Sequence, residues 1–307
     1  QRCRCGITPD PNWHIWYTPR SCRLIGMKIT PLLTPADQQL PSGDMAPPFQ
    51  LAVRQVTKSF DIDGRSVQVL APTDLTIAEG EFGALIGPSG CGKSTLLRMV
   101  ADILPPTTGT ITIGGREPAR ARRDHEIGFV FQDPTLLPWR SVIENIRLPL
   151  EVVGASGCLS GATPQELIDL VGLTGFEHAR PSQLSGGMQQ RCAIARALIL
   201  SPKLLLLDEP FGALDEITRY RMNLELLRIR AEARTTSLMV THSIQEAVFM
   251  ADRVFVLAAR PGRIVDVVEV AMERPRRLSQ MNSPEFTEAV ERVRRSLFGD
   301  AMGMLDA

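Results

Sequence analysis

The chain reads as an α/β protein with a mostly parallel central sheet, and three features of the sequence say so. Short apolar runs that fit strands alternate with stretches whose apolar residues recur at helical spacing. One run, EFGALIG at 81–87, is continuously apolar, as a strand covered on both faces requires, and it feeds a glycine-rich loop and then a helical pattern. Residues 141–200 carry almost only helical signal, which predicts a helical insertion between strands.

Taken in order, LAVRQVTKSF (51–60) alternates like a strand, with order expected from Phe49. Gly64 marks a turn before SVQVL, and a second strand is expected near TDLTI (73–77). Past the glycine loop, Leu96, Leu97, Val100 and Ala101 sit at helical spacing. TITIGG (110–115) ends on a Gly-Gly turn, a hairpin signal. Four further strands are expected in EIGFVF (126–131), KLLLLD (203–208), TSLMVTH ending at His242, and RVFVLAA (253–259). Within the helical insertion, Thr163-Pro164-Gln165-Glu166 is a capping box with proline at the first helical position, and Gly172 closes that helix. RPGRIVDVVEV (260–270) predicts a terminal hairpin or strand. Ser283-Pro284-Glu285 then opens a last helix with Phe286, Val290, Val293 and Leu297 along one face.

Composition bounds the function. Positive and negative side chains balance to a formal charge of zero, which argues against bulk nucleic-acid binding. No stretch approaches the roughly 18 apolar residues of a membrane span, and the N-terminus shows no signal-peptide segment, so a cytosolic chain is expected, tied to membranes only through a partner. The six cysteines fit no zinc spacing and are read as thiols of a reducing compartment. Residues 1–48, rich in Pro, Arg and Cys, are expected to lie outside the fold as a disordered or non-native extension, with Met27 a candidate initiator. The main domain is then expected over 49–270, with its helical part at about 136–200, and a helical tail over 271–307.

The chemistry starts at Gly87-Pro88-Ser89-Gly90-Cys91-Gly92-Lys93-Ser94-Thr95, which matches G-x-x-x-x-G-K-[ST] in its required strand-to-helix context. The glycines let backbone N–H groups wrap phosphates, Lys93 brings a cation to the β/γ-phosphates, and Ser94 can ligate Mg²⁺. LLLLDEP (204–210) is an apolar strand ending in two carboxylates: Asp208 can reach Mg²⁺, and Glu209 suits a general base for the attacking water. LSGGMQQR (184–191) is a second Ser-Gly-Gly turn opening a helix, again a set of backbone donors suited to an anion. One nucleotide does not easily need two such cradles from one chain, so each ATP is expected between the glycine loop of one subunit and the Ser185-Gly186-Gly187 turn of another. The Cys91 thiol, beside the phosphates, is expected to be open to alkylation and shielded by nucleotide.

On these motifs the chain resembles the ATP-binding subunits of ABC transporters, over about residues 50–265. The resemblance implies a P-loop NTPase core with an antiparallel β subdomain and a helical subdomain, a homodimer, ATP and Mg²⁺. It assigns Gln132 in FVFQDPTLLPWRS to Mg²⁺ or the attacking water, and His242 to the γ-phosphate and the water of Glu209. Asp215 in FGALD falls in the loop that crosses to the partner subunit, and Phe60 sits where an aromatic stacks on adenine. Met188, LLPWRSVIENI (136–146) and ARPGRIVDV (259–267) resemble the branch that imports nitrate, sulfonates and taurine. That branch implies an integral membrane permease, a periplasmic or extracellular substrate-binding protein, no nucleic-acid partner, and a peripheral place on the cytoplasmic face of the membrane. A soluble, export or lipid-trafficking cassette stays open as the alternative. Against a soluble one stand the single cassette and the absence of sustained heptads between 96 and 183.

Overall fold

The computed structural model describes residues 50–154, 162–212, 214–233 and 235–299. The extension expected over 1–48 and the end of the tail, 300–307, lie outside the described residues, as do Phe49 and all the cysteines except Cys91 and Cys192.

Two sheets organise the main body. Strands β1 (Leu51–Ile62) and β2 (Arg65–Ile77) form an antiparallel pair, followed by β3 (Phe82–Ile86) and helix α1 (Lys93–Val100). Next come β4 (Thr108–Ile113), α2 (Pro118–Arg123) and β5 (Ile127–Val130). The helical block holds α3 (Val142–Val153), α4 (Pro164–Leu170), a 3-10 turn at Pro181–Gln183, and α5 (Gly186–Leu198). The chain ends through β6 (Leu204–Asp208), α6 (Glu216–Ala233), β7 (Thr236–Thr241), α7 (Ile244–Met250), β8 (Arg253–Ala258), β9 (Arg263–Glu269), a 3-10 turn at Leu278–Asn282 and α8 (Pro284–Phe298).

The larger sheet runs β5-β6-β7-β3-β8-β9, parallel except for β9, which pairs antiparallel with β8. Its strands alternate between two cores. Ala84, Ile86, Leu205, Leu207, Met239 and Val254 face one, and Leu85, Leu204, Leu206, Leu238, Val240 and Phe255 face the other. Side chains of a strand point alternately up and down, so a sheet with helices on both faces buries both sets. The smaller sheet runs β2-β1-β4 and packs over the second core through Leu51, Val53, Leu70 and Ile113.

Two expectations need correction. The separate strands expected at SVQVL and TDLTI are one strand, β2. The break is instead a set of register shifts against β1, where Gln55 takes φ 49 and its amide donates to Asp74 Oδ1 at 3.0 Å. The Gly114-Gly115 turn forms, and Ile113 and Arg116 exchange hydrogen bonds across it, but no second hairpin strand follows: Pro118 starts a helix, and β4 pairs with β1 instead.

The helical block matches its sequence signals closely. Thr163 accepts from the Glu166 amide while Glu166 reaches back to the Thr163 amide, and Gly172 takes φ 64 beyond the end of α4. Ser141 and Glu144 make the same reciprocal cap on α3. The last helix, α8, buries Phe286, Val290 and Val293 in the first core, with Leu297 partly buried against it.

Candidate functional site

Four neighbouring parallel strands end at one edge of the larger sheet, and each delivers a residue that the sequence singled out. β3 runs into Gly87, β6 ends at Asp208 with Glu209 next, His242 follows β7, and Gln132 lies just past β5. Open α/β sheets bind ligands at this carboxyl edge, because there the loops leave room and the helix N-termini point outward.

The glycine loop is built tightly. Gly90 and Gly92 hold φ 78 and 90, left-handed values that favour glycine. Lys93 is 6% exposed, and its ammonium donates to the carbonyls of Gly87 (2.7 Å) and Pro88 (3.0 Å), so a buried cation clamps the loop closed on itself. A cavity of about 270 Å³ opens over the loop, lined by Val69, Ser89, Gly90, Ser94, Thr95 and Glu209, with Lys93 and Gly92 at its base. The Cys91 thiol does not face it. Cys91 is fully buried in the core, with Sγ 3.9 Å from the Lys93 ammonium, so the expected alkylation of an exposed thiol is corrected: only the backbone of Cys91 belongs to the phosphate face.

The acidic pair splits in character. Asp208 is buried, and its Oδ1 accepts from the Ser94 hydroxyl at 2.7 Å. Burial pushes its carboxyl above the ordinary range, an effect that the Ser94 bond opposes. Glu209 takes φ 45, an uncommon left-handed conformation for a side-chain-bearing residue, fixed by its amide donating to Val240 O at 3.0 Å. Its Oε2 gathers two neighbours: the Gln132 Nε2 donates at 3.4 Å, and the His242 Nδ1 lies 3.3 Å away. Glu209 thus sits between Gln132 and His242 at the mouth of the cavity.

Ser94, Asp208 and Gln132 offer oxygen donors of the kind Mg²⁺ takes. Among the described residues no group of three or more His, Cys, Asp and Glu could hold a metal.

The remaining expected residues lie outside that cavity. Phe60 is half-buried on β1, paired with Val67, and the Lys58 ammonium stands 5.0 Å above its ring; the cavity wall on this side is Val69. Ser185 caps α5, its hydroxyl accepting from the Met188 amide, and it is exposed together with Gly186. Asp215 is exposed and accepts from the Thr218 amide at 3.0 Å, a bond that holds its carboxyl below the usual range. These two features adjoin each other: a Cβ on Gly187 would meet Thr218 Cγ2 at 3.4 Å and Leu214 at 3.9 Å.

Sequence reading missed the residues that join the two parts. Gln190, 2% exposed, donates to Phe131 O, and Arg196 donates to Pro134 O and Thr135 O, so α5 holds the Gln132 loop from behind. Asn145 is fully buried, accepts from the Leu137 amide, and donates to the carbonyls of Leu137, Arg140 and Ser141. The only signal for them was position within a helix beside a loop, which fits many structural residues equally well.

A glycine loop on the central strand, an acidic pair on its neighbour-but-one and a Ser-Gly-Gly helix cap define an ATP-binding cassette. Residues 70–212 match the family model described as ABC transporter. The chain is 45% identical over 244 residues to an uncharacterized ABC transporter ATP-binding protein of Methanocaldococcus jannaschii, covering 80% of this chain and 90% of that one. It is 43% identical over 238 residues to an aliphatic sulfonates import ATP-binding protein of Burkholderia cenocepacia, covering 77% and 83%. Among solved structures, a dimeric post-hydrolysis ATP-binding cassette with ADP and Pi is similar at TM-score 0.62 and 32% identity, covering 73% of this chain and all of that one. The chain belongs to the ATP-binding proteins of the ABC transporter family, and it is an ABC-type ATPase whose relatives include import subunits.

Proposed function

We propose that this chain is the ATP-hydrolysing subunit of an importer and works as a pair of identical copies. One observation carries the reading: Ser185, Gly186 and Asp215 are exposed side by side, yet none of them lines the cavity over the glycine loop. Ser185, Gly186 and Gly187 of one copy would complete the site of the other, giving two composite sites per dimer. In each, Lys93 and the loop amides hold the phosphates. Ser94, Asp208 and Gln132 would hold Mg²⁺, which would supply positive charge to offset that of the phosphates. Glu209 takes the proton of the attacking water, with His242 and Gln132 holding its carboxylate in line. Phe60 offers its ring face to adenine.

Docking to a membrane permease would use the groove beside Gln132. It measures about 420 Å³ and is lined by Phe129, Phe131, Leu148, Pro149, Val152 and Leu200. An apolar, open groove at a sheet edge fits a short partner helix. Among the described residues no helix is long and apolar enough to cross a membrane; the chain would sit as a peripheral subunit on the cytoplasmic face through that permease. The cargo would be a small anion such as nitrate, a sulfonate or taurine, delivered by a separate substrate-binding protein. The sulfonate-import relative and the Met188 branch signature support this.

Replacing the proposed base tests the scheme. Glu209→Gln should keep ATP, lose about 10²–10⁴-fold in turnover, and accumulate as an ATP-bound dimer in light scattering. Parental turnover in that variant would remove Glu209 from the mechanism, and a monomer under saturating ATP would remove the shared sites.

A further inference from the structure

We propose that Gly262, in the turn between β8 and β9, is a positioning residue for the phosphate-binding loop; this rests on the reading of that loop as the ATP site. Gly262 lies some 170 residues downstream of the loop, yet its backbone is wedged against it. A Cβ built on Gly262 would stand 1.9 Å from the Cys91 carbonyl oxygen, 2.9 Å from the Cys91 carbonyl carbon and 3.2 Å from Val69 O. No side chain can occupy that space, so the loop peptide after Cys91 has settled into the volume that only glycine leaves open.

The wedge is also hydrogen-bonded. The Gly262 amide donates to Val69 O at 2.9 Å, and the Ala71 amide donates to Gly262 O at 2.8 Å, so the turn adds one bridge to the edge of β2. Val69 itself lines the cavity, and its Cγ1 lies 3.3 Å from where a Cβ on Gly92 would be. The other end of the loop rests on the same hairpin: a Cβ on Gly87 would meet Leu257 O at 2.6 Å. Both ends of the loop therefore sit on the β8–β9 hairpin, and Gly262 fixes the loop and the Val69 wall relative to each other. Lys93, two residues past Cys91, ties Gly87 and Pro88 into the same unit, so a shift of the Cys91 peptide moves the phosphate donors with it.

The test is equilibrium binding of a fluorescent ATP analogue to the full chain. Gly262→Ala should weaken binding about tenfold or more, because an ångström of displacement at a site is costly. Its φ lies outside the left-handed range, so alanine brings no backbone strain of its own and the effect comes from the contact. Gly115→Ala is the control: its φ of 72 strains an alanine, yet nothing lies within 4 Å. That variant should lower the Tm and leave nucleotide affinity unchanged, separating loss of stability from loss of position. Parental affinity in Gly262→Ala would overturn the proposal, whereas absence of binding in the parent would instead overturn the ATP reading. Should Gly262→Ala not fold, hydrogen exchange on the parent decides. Nucleotide should raise protection at the Gly262 and Ala71 amides but not at Val268 on β9, and unchanged protection at the first two would sink the idea.

Discussion

The glycine-loop edge and the Ser-Gly-Gly face are both glycine-rich turns at a helix N-terminus, suited to an anion, but they are finished to different degrees. At the first, four strand ends bring Lys93, Asp208, Gln132, Glu209 and His242 to one sheet edge, where Lys93 and Glu209 line a cavity, Ser94 bonds Asp208, and Gln132 and His242 flank Glu209. At the second, Ser185 and Asp215 each accept from the amide three residues ahead and are exposed. On the proposed reading, the difference is that between a phosphate cradle assembled within one chain and an exposed surface left for the site of a second copy.

The sharpest way to break that comparison is a pair of substitutions with opposite signatures. Lys93→Ala should abolish measurable ATP binding by the isolated chain, since it removes the cation and the clamp on Gly87 and Pro88. Ser185→Arg should leave binding by the isolated chain at the parental Kd while cutting turnover by about 10²-fold or more, because only the assembled site needs that face. Equilibrium dialysis and phosphate release separate the two. If Ser185→Arg weakened ATP binding to dilute, monomeric protein, the Ser-Gly-Gly turn would act within its own chain and the shared-site reading would fall.

A smaller effect is expected where the two regions meet. Asn145 anchors the 137–141 segment to α3 through four hydrogen bonds, and this segment continues from the Gln132 loop. Asn145→Ala leaves the Leu137 amide and the carbonyls of Leu137, Arg140 and Ser141 without their side-chain partner, a loss of about 2–3 kcal/mol by urea unfolding. Turnover should drop with little change in ATP affinity, since the loop and not the cradle loosens. A stability change under half a kcal/mol, roughly the scale of an ordinary surface substitution, would show that the segment is held elsewhere.

These contrasts explain what the sequence could and could not disclose. The glycine loop, the Asp208-Glu209 strand end and the capped helices at Thr163 and Ser185 are contiguous, and their roles follow from local backbone geometry, so residue type and spacing were enough. The meeting of Gln132, Glu209 and His242 needed the family resemblance, because a lone glutamine or histidine after a strand specifies no partner. Gly262 and Asn145 were illegible for a different reason: their roles lie in what the rest of the chain places beside them. The single strand β2 was read as two because the bulge at Gln55 sits on the opposite strand, and the Gly114-Gly115 turn was over-read because a tight turn does not dictate that a strand follows. The buried thiol of Cys91 was misjudged for the same cause, since a loop that binds anions with its backbone can turn its side chains inward.

The smallest effect probes the seam behind His242. A cavity of about 230 Å³ between α6 and α7 is lined by Arg219, Tyr220, Asn223, Ser243, Gln245 and Glu246. It joins the helix that follows Asp215 to the helix that follows His242. Glu246 is 6% exposed, and one of its carboxylate oxygens accepts from the Thr241 hydroxyl. Burial raises its pKa, opposed by the Thr241 bond, the Arg219 charge, Asn223 and His242. A raised carboxyl means that the folded state holds its proton to higher pH than the unfolded chain does. Its favourable contribution is therefore complete below the ordinary carboxylate range and is lost as pH rises through the raised value. Glu246→Gln keeps an acceptor for Thr241 and has no proton to lose, so its Tm should gain on the parent as pH climbs from acid to neutral, by about 2–4 °C per kcal/mol released. Parallel melting curves across that range would mean that Glu246 does not titrate with folding and that the Arg219 side of the seam neutralises it at every pH.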